Sequence, residues 1–282
     1  MTIASDLPMN GETEYLKSVA RILENGALKE NRTGVKAWTV PHMMLQHDMS
    51  EGFPVITTKR IAWRTLRVEL EFFLKGMTDK NWLIERGCHI WDSWSNPTND
   101  DDGDLGPIYG YQWRRFNENY GGENPDGVDQ VRNIIEVLKD NPNDRRMLCC
   151  AWNPLQQHQM ALPPCHVLWH LTHINGVLSL SWFQRSCDMF LGIPFNLASY
   201  SLLLHLLCKE SGMKEGVVSG FLSDCHIYEN HVNAVKEQLS REPFEFPRIE
   251  TSKFTSIFEW EFADSKLIDY QHHPSIKAPV AV

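Results

Sequence analysis

Between Phe190 and Cys208 the chain carries no Asp, Glu, Lys or Arg, and that stretch limits its possible folds more than any other feature. An uncharged segment this long either crosses a bilayer or is enclosed by other protein. Pro194, Asn196, Ser199 and His205 interrupt it with groups that would need partners in lipid, so the expectation is a buried helix over Asn196–Cys208 in a soluble protein. A helix covered on every side requires a large surrounding core. The 282 residues, 42% of them hydrophobic, can supply one, and with no linker in view the chain reads as one domain over residues 1–282.

Around that stretch helix and strand signals alternate. Glu14–Glu24 places Leu16, Val19, Ala20 and Leu23 on one side of a helix. Trp63–Leu74 brings Leu66, Leu70, Phe73 and Leu74 together at helical spacing, with Gly76 as its stop. Val128–Lys139 and Asn230–Leu239 are further helices, whereas Met147–Trp152 and Val177–Phe183 read as strands and Cys225–Tyr228 as an extended piece. Asn96–Asp104 and Asn117–Asp126 are rich in Asn, Asp, Pro and Gly and read as loops. No internal repeat or low-complexity tract is present.

The formal charge of −9 argues against a general nucleic-acid or anionic-membrane surface. Any anionic ligand must therefore meet a local basic pocket. Met1–Gly11 lacks a basic segment followed by an apolar run, so no secretory signal is expected and the cytoplasm is the default compartment. Seven cysteines without a CxxC pair suggest reduced thiols rather than a disulfide frame. No metal site is expected.

Cys165 follows Leu162-Pro163-Pro164 and precedes His166. Two prolines stiffen the approach and remove two backbone donors, which suits a nucleophile. Taken alone, a cysteine is more often a small buried hydrophobe. The neighbouring His166 invites a cysteine-hydrolase reading, but adjacent residues on a strand face opposite ways, so that histidine could hardly deprotonate the thiol. Fixed positive charge is the other route to a reactive thiolate. Arg185 lies in the polar cluster Gln184–Asp188 between apolar segments, Arg145 and Arg146 follow the turn-forming Asn141–Asp144, and Arg32 sits in Asn31-Arg32-Thr33-Gly34. Guanidinium forks suit a phosphate dianion, although any one arginine is as often a surface ion-pair partner.

Pro164-Cys165-His166, Gln184-Arg185-Ser186-Cys187-Asp188, Leu191–Tyr200 and Asp224-Cys225-His226-Ile227-Tyr228 resemble, in order and spacing, the signature blocks of the thymidylate synthase family. Arg32-Thr33-Gly34, Phe53–Lys59, Ile90-Trp91-Asp92, Gly106–Gly110, Asp144-Arg145-Arg146 and Lys277–Val282 extend the match over nearly the whole chain. So many ordered blocks carry weight that no single block would.

The resemblance implies an α+β fold, with a large twisted mixed sheet, helices packed on one face, and a homodimer built sheet to sheet. It implies that Cys165 attacks carbon 6 of dUMP and that 5,10-methylenetetrahydrofolate supplies a carbon to carbon 5, giving dTMP and dihydrofolate. Arg32, Arg185 and Ser186 would bind the phosphate, joined by Arg145 and Arg146 from the second subunit. Asn196 would read the base, since an amide can donate to O4 and accept from N3–H. His226 and Tyr228, two apart on an extended segment, would hold the 3′-hydroxyl. Glu69 would order water and move protons, with Glu71 turned farther outward, and Tyr109 and Asp188 would assist. Lys59, Trp91, Trp94, Leu162, Asp188, Leu191, Gly192, Phe195 and Val282 match positions lining the folate pocket. Taken singly, such apolar and aromatic residues are ordinary core material.

Several positions depart from the family pattern: Asn31, Glu71-Phe72, His170, Trp182-Phe183 and Ser223. A wetter or reshaped pocket would let water capture the exocyclic methylene, giving hydroxymethyl-dUMP, or less favourably the dCMP product. The retained carboxy-terminal segment favours methylation. A catalytically dead binding protein that keeps the fold is a third reading, against which the joint presence of Cys165, Glu69, the arginines and Asn196 argues.

Overall fold

A computed structural model of the chain describes residues 9–122 and 126–280. In chain order the elements are α1 (Gly11–Asn25), β1 (Ala27–Lys29), β2 (Ala37–Asp48), α2 (Trp63–Leu74), α3 (Asn81–Glu85), α4 (Tyr109–Arg115) and α5 (Gln130–Asp140). They continue with β3 (Leu148–Cys150), β4 (His166–Ile174), β5 (Val177–Asp188), α6 (Gly192–Ser211), β6 (Lys214–Tyr228), α7 (Val232–Leu239), β7 (Arg248–Thr251) and β8 (Ser265–Ile268).

Six strands form a mixed sheet in the order β1-β2-β6-β5-β4-β3, while β7 and β8 make a separate hairpin-like pair. The β5–β6 pair is parallel and its neighbours are antiparallel. A parallel pair needs a crossover long enough to return the chain to the same end of the sheet, and α6 is that crossover. It lies against β5 and β6, with Leu202, Leu203, Leu204, Leu206 and Leu207 fully buried. The uncharged stretch is thus a core helix, and among the described residues no helix is long and apolar enough to cross a membrane.

One sheet face is covered. Leu178, Leu180 and Trp182 of β5, with Val218 and Leu222 of β6, point into the core. At Gly220 a Cβ would come within 2.5 Å of the Trp182 indole, so that indole occupies the space a side chain would take. The opposite face is open and bears an apolar row across four strands, because Met44 pairs with Phe221, Phe221 with Phe183 and Phe183 with Leu168. Met44, Phe221 and Phe183 are exposed.

The expected strand Met147–Trp152 is shorter, Leu148–Cys150, whereas Val177–Phe183 continues to Asp188, and Cys225–Tyr228 is the end of a strand that begins at Lys214. The helix expected from Asn196 starts earlier, at Gly192, because Asp188 Oδ1 accepts from the backbone N–H groups of Phe190 and Leu191 at 2.9 and 3.0 Å and leads the chain into its first turn. Glu71 is buried rather than turned outward. The chain before β8 covers this side of α2, and the Glu71 carboxylate accepts from the Phe262 N–H at 2.8 Å and pairs with Lys75 at 2.5 Å.

A second buried carboxylate joins α1 to the segment before α2. Glu12 accepts from the backbone N–H and hydroxyl of both Thr57 and Thr58, at 2.7 to 2.9 Å. All seven cysteines are free thiols.

Candidate active site

The carboxyl ends of β5 and β6 lie side by side, with Ser186 paired to Asp224 and Asp188 to His226. Ligand sites of mixed sheets favour such an edge. A cleft of about 500 Å³ opens there, lined by Arg32, Trp94, Leu162, Cys165, Arg185, Ser186, His226 and Tyr228 among others. A smaller lobe of about 240 Å³ shares most of these residues and adds Tyr109, Asp188, Gly192 and Asn196.

Cys165 sits just ahead of β4. Its N–H donates to the Tyr109 hydroxyl at 2.7 Å and its carbonyl accepts from Arg185 N–H at 2.9 Å. Arg185 reaches back along the preceding loop, donating from Nε to the Pro164 carbonyl and from Nη2 to the Pro163 carbonyl, both at 2.8 Å. The prolines contribute acceptors without competing donors. Burial pushes the Cys165 thiol above its ordinary value; Arg185 opposes this most strongly, followed by Tyr109 and Arg32. The positive charge expected near the thiol is therefore present, and it offsets only part of the desolvation.

His166 cannot serve as base. Its ring stacks on Tyr109 at 4.2 Å and its Nδ1 bonds the Tyr200 hydroxyl at 2.8 Å. Burial lowers its pKa to about 3. The Cys–His hydrolase reading fails on this geometry.

Asn196 lies in the second turn of α6, too far in to cap the helix, and its orientation follows from its neighbours. The indole N–H of Trp182 can only donate, so the Gln184 oxygen faces it, at 3.1 Å. The Gln184 NH₂ then donates to the Ser186 carbonyl at 3.0 Å and to Asn196 Oδ1 at 3.1 Å. The Asn196 NH₂ is left to donate into the smaller lobe, with a second lone pair on Oδ1 beside it.

Glu69 is buried behind the cleft, accepting from Trp91 Nε1 at 2.8 Å. Burial raises its pKa from 4.5 to about 7, and the Trp91 bond opposes the rise. A carboxyl balanced near neutrality can both hold and release a proton.

Of the residues expected around folate, Trp94 and Leu162 line both lobes and Gly192 and Asp188 line the smaller one. Leu191 and Phe195 are partly buried against the core. Trp91 is buried beside Glu69 rather than lining the cleft. Lys59 is drawn inward: its ammonium bonds the Phe190 carbonyl and lies 3.4 Å from the Phe190 ring centroid. Burial lowers its pKa to about 7, against the influence of Asp188. Val282 lies outside the described residues.

Arg145 and Arg146 are not brought to the cleft of their own chain. Both are exposed, just before β3; Arg146 pairs with Asp144 at 2.5 Å, and His170 Nε2 bonds the Arg145 carbonyl at 3.0 Å. Sequence reasoning gave no role to Gln184, Trp182, Lys29 or Asp224, although the donor-only indole two residues before a glutamine was a usable signal.

This constellation, a thiol under the influence of two guanidiniums with an oriented amide and a neutral-range carboxyl nearby, has the groups needed for covalent chemistry on an anionic, hydrogen-bonding ligand. The sequence model of the family described as thymidylate synthase matches residues 13–282. The thymidylate synthase of Corynebacterium aurimucosum is 42% identical over 273 residues, covering 96% of this chain and 98% of that protein. The chain belongs to the thymidylate synthase family, and so to the folate-dependent one-carbon transferases.

Proposed function

We propose that this chain converts dUMP to dTMP with 5,10-methylenetetrahydrofolate as the carbon donor. The observation that supports this best is the convergence of Cys165, Arg32, Arg185, Ser186, Asn196, His226 and Tyr228, drawn from five separate chain segments, on one connected cleft. The phosphate sits against Arg32, Arg185 and Ser186, which leaves the base beside Cys165 and Asn196. The Asn196 NH₂ donates to O4 of uracil and its oxygen accepts from N3–H; cytosine offers the reverse pattern at both atoms.

The Cys165 thiolate adds to carbon 6, and the electron pair of the broken double bond moves to carbon 5 and O4. When bound, the folate supplies both the one-carbon unit and the hydride that reduces it to a methyl group. Glu69 carries protons to and from the pyrimidine through water, Tyr109 holds the backbone of the nucleophile, and Asp188 keeps the α6 entrance in register with the base. Trp94, Leu162, Leu191, Gly192 and Phe195 would hold the folate by apolar contact, and Lys59 would add the cation on that side. Val282 is the remaining residue assigned to the folate site, by resemblance.

The reaction runs in a single catalytic domain spanning residues 1–282, in the cytoplasm. The working unit is a homodimer. Its contact is the open sheet face, whose exposed row of Met44, Phe221 and Phe183 offers adjoining apolar side chains to a second copy. Arg145 and Arg146 complete the phosphate site of the neighbouring subunit.

The test is incubation with 5-fluoro-dUMP and the folate. A ternary adduct on Cys165 is expected by mass spectrometry, absent from Cys165→Ala; an adduct that persists in that variant removes the assignment. With dUMP itself, dihydrofolate and the 5-methyl product are expected, and a hydroxymethyl product without folate oxidation would refute methylation.

A further inference from the structure

Arg145 and Arg146 stand on segment 141–147, which joins α5 to β3 and continues along the edge of β4 where β3 has not yet begun to pair. There the Leu171 N–H donates to the Met147 carbonyl at 3.0 Å. Two histidines of β4 hold this segment from opposite faces of the sheet. His170 shares the open face with Leu168, and its Nε2 meets the Arg145 carbonyl at 3.0 Å. A carbonyl only accepts, so in the neutral ring the proton sits on Nε2. His173 shares the covered face with the buried Trp169 and Leu171. Its Nε2 accepts from the Gly176 N–H at 2.8 Å, which leaves the proton on Nδ1, 3.1 Å from Asn143 Oδ1. The two rings are thus fixed in opposite tautomers, each a donor to the same segment. Arg146 is tied to Asp144 through Nε and Nη2, whereas the Arg145 guanidinium is exposed and has no partner among the described residues. His170 is also among the positions that depart from the family pattern.

We infer that His170 is a positioning residue for the neighbouring subunit: by holding the Arg145 carbonyl it aims that guanidinium across the dimer contact, so that substitution at His170 weakens nucleotide binding in the other subunit and not in its own. This rests on the reading that Arg145 and Arg146 complete the neighbour's phosphate site. The face that carries His170 is the one that bears Met44, Phe221 and Phe183, so the ring stands on the same side of the sheet as the contact while gripping the arginine segment. A guanidinium on a fixed backbone takes up phosphate without first costing the peptide its freedom. With the carbonyl released, that ordering falls to the ligand. Phosphate is held equally before and during the reaction, so the loss belongs in KM and not in kcat.

The experiment compares the KM for dUMP in homodimers and in hybrids made by co-expression with two tags. His170→Leu homodimers should show KM raised about three- to tenfold with kcat within about twofold of the parent. His170→Gln, which restores an N–H donor, should return close to the parent. In a hybrid of His170→Leu with Cys165→Ala, the working cleft belongs to the His170→Leu protomer but receives Arg145 from a protomer that keeps His170, and KM should be that of the parent. In a hybrid of the parent with the Cys165→Ala/His170→Leu double variant, the working cleft lies in a fully native protomer, yet KM should be raised. A KM that follows the protomer carrying the thiol overturns the inference, and so does a parental KM in His170→Leu homodimers. His170→Thr, polar and too short to reach the carbonyl, carries the same expectations if His170→Leu does not assemble. The hybrid of Arg145→Ala/Arg146→Ala with Cys165→Ala separates the two readings. If it is inactive, the shared site falls and the inference with it; if it is active while the His170 variants act only on their own clefts, the inference alone falls.

Discussion

Replacing Glu69 by Gln should make the protein more stable and less active, with the stability gain appearing only as the pH rises. The carboxyl is buried and accepts one hydrogen bond, from Trp91. Its pKa stands at about 7 against 4.5 for an ordinary glutamate. With about 1.4 kcal/mol for each tenfold change in proton affinity, the ionised form is roughly 3 kcal/mol less favourable in place than in the unfolded chain. The folded chain keeps the proton up to about pH 7, whereas the unfolded chain releases it near 4.5. Between those values the folded state binds more protons, so the contribution of Glu69 is fully present below 4.5 and is lost as the pH rises through 7. Glutamine keeps the shape and the acceptor for Trp91 but does not titrate. Every other group is common to both proteins, so the difference in unfolding free energy isolates this one. It should grow by roughly 2.5 kcal/mol between pH 5 and pH 8. Urea unfolding at a fixed protomer concentration measures it. A difference that is flat across that range, or that shrinks, would refute the reasoning, since the shape of a side chain has no pH dependence.

Three further outcomes are expected. Arg185→Met removes the strongest influence opposing burial at Cys165, so alkylation of that thiol by iodoacetamide at pH 8 should slow by about three- to tenfold; an unchanged rate, read on the Cys165 peptide, would deny the electrostatic role. Glu12→Ala strips the acceptor from four donors on Thr57 and Thr58 and should cost about 3 to 5 kcal/mol in urea unfolding, a loss below about 1 kcal/mol meaning that water replaces the carboxylate. Mixing inactive Arg145→Ala/Arg146→Ala protomers with inactive Cys165→Ala protomers should restore activity in hybrid dimers, and a mixture that stays inactive contradicts a shared phosphate site.

The sequence was most readable where one local rule governs a segment. The charge-free run, broken by Pro194, Asn196, Ser199 and His205, read as core rather than as a membrane span, the spacing of Leu66, Leu70, Phe73 and Leu74 matched α2 from end to end, and Gly76 stopped it as expected. It was least readable in β2 and in the first part of β6. There Pro41, His42, Gln46 and His47, or Glu215, Ser219 and Ser223, break the apolar alternation, and pairing with neighbours far along the chain decides the structure. Glu71 was misjudged for the same reason, because its covering segment lies nearly two hundred residues away. At the site, residue types were legible but relations were not. Nothing local to Lys59 announces that it folds under Phe190, and nothing local to Asn196 shows which way its amide faces.

Arg185 ties two matters together. The guanidinium that we assign to the phosphate is also the strut beneath the loop of the proposed nucleophile, gripping both prolyl carbonyls ahead of Cys165. Escape from a phosphate-mimicking drug by mutation at this position would slacken the reactive thiol at the same stroke. A compound that leans on this one side chain therefore sets binding of the drug and support of the thiol against the same substitution.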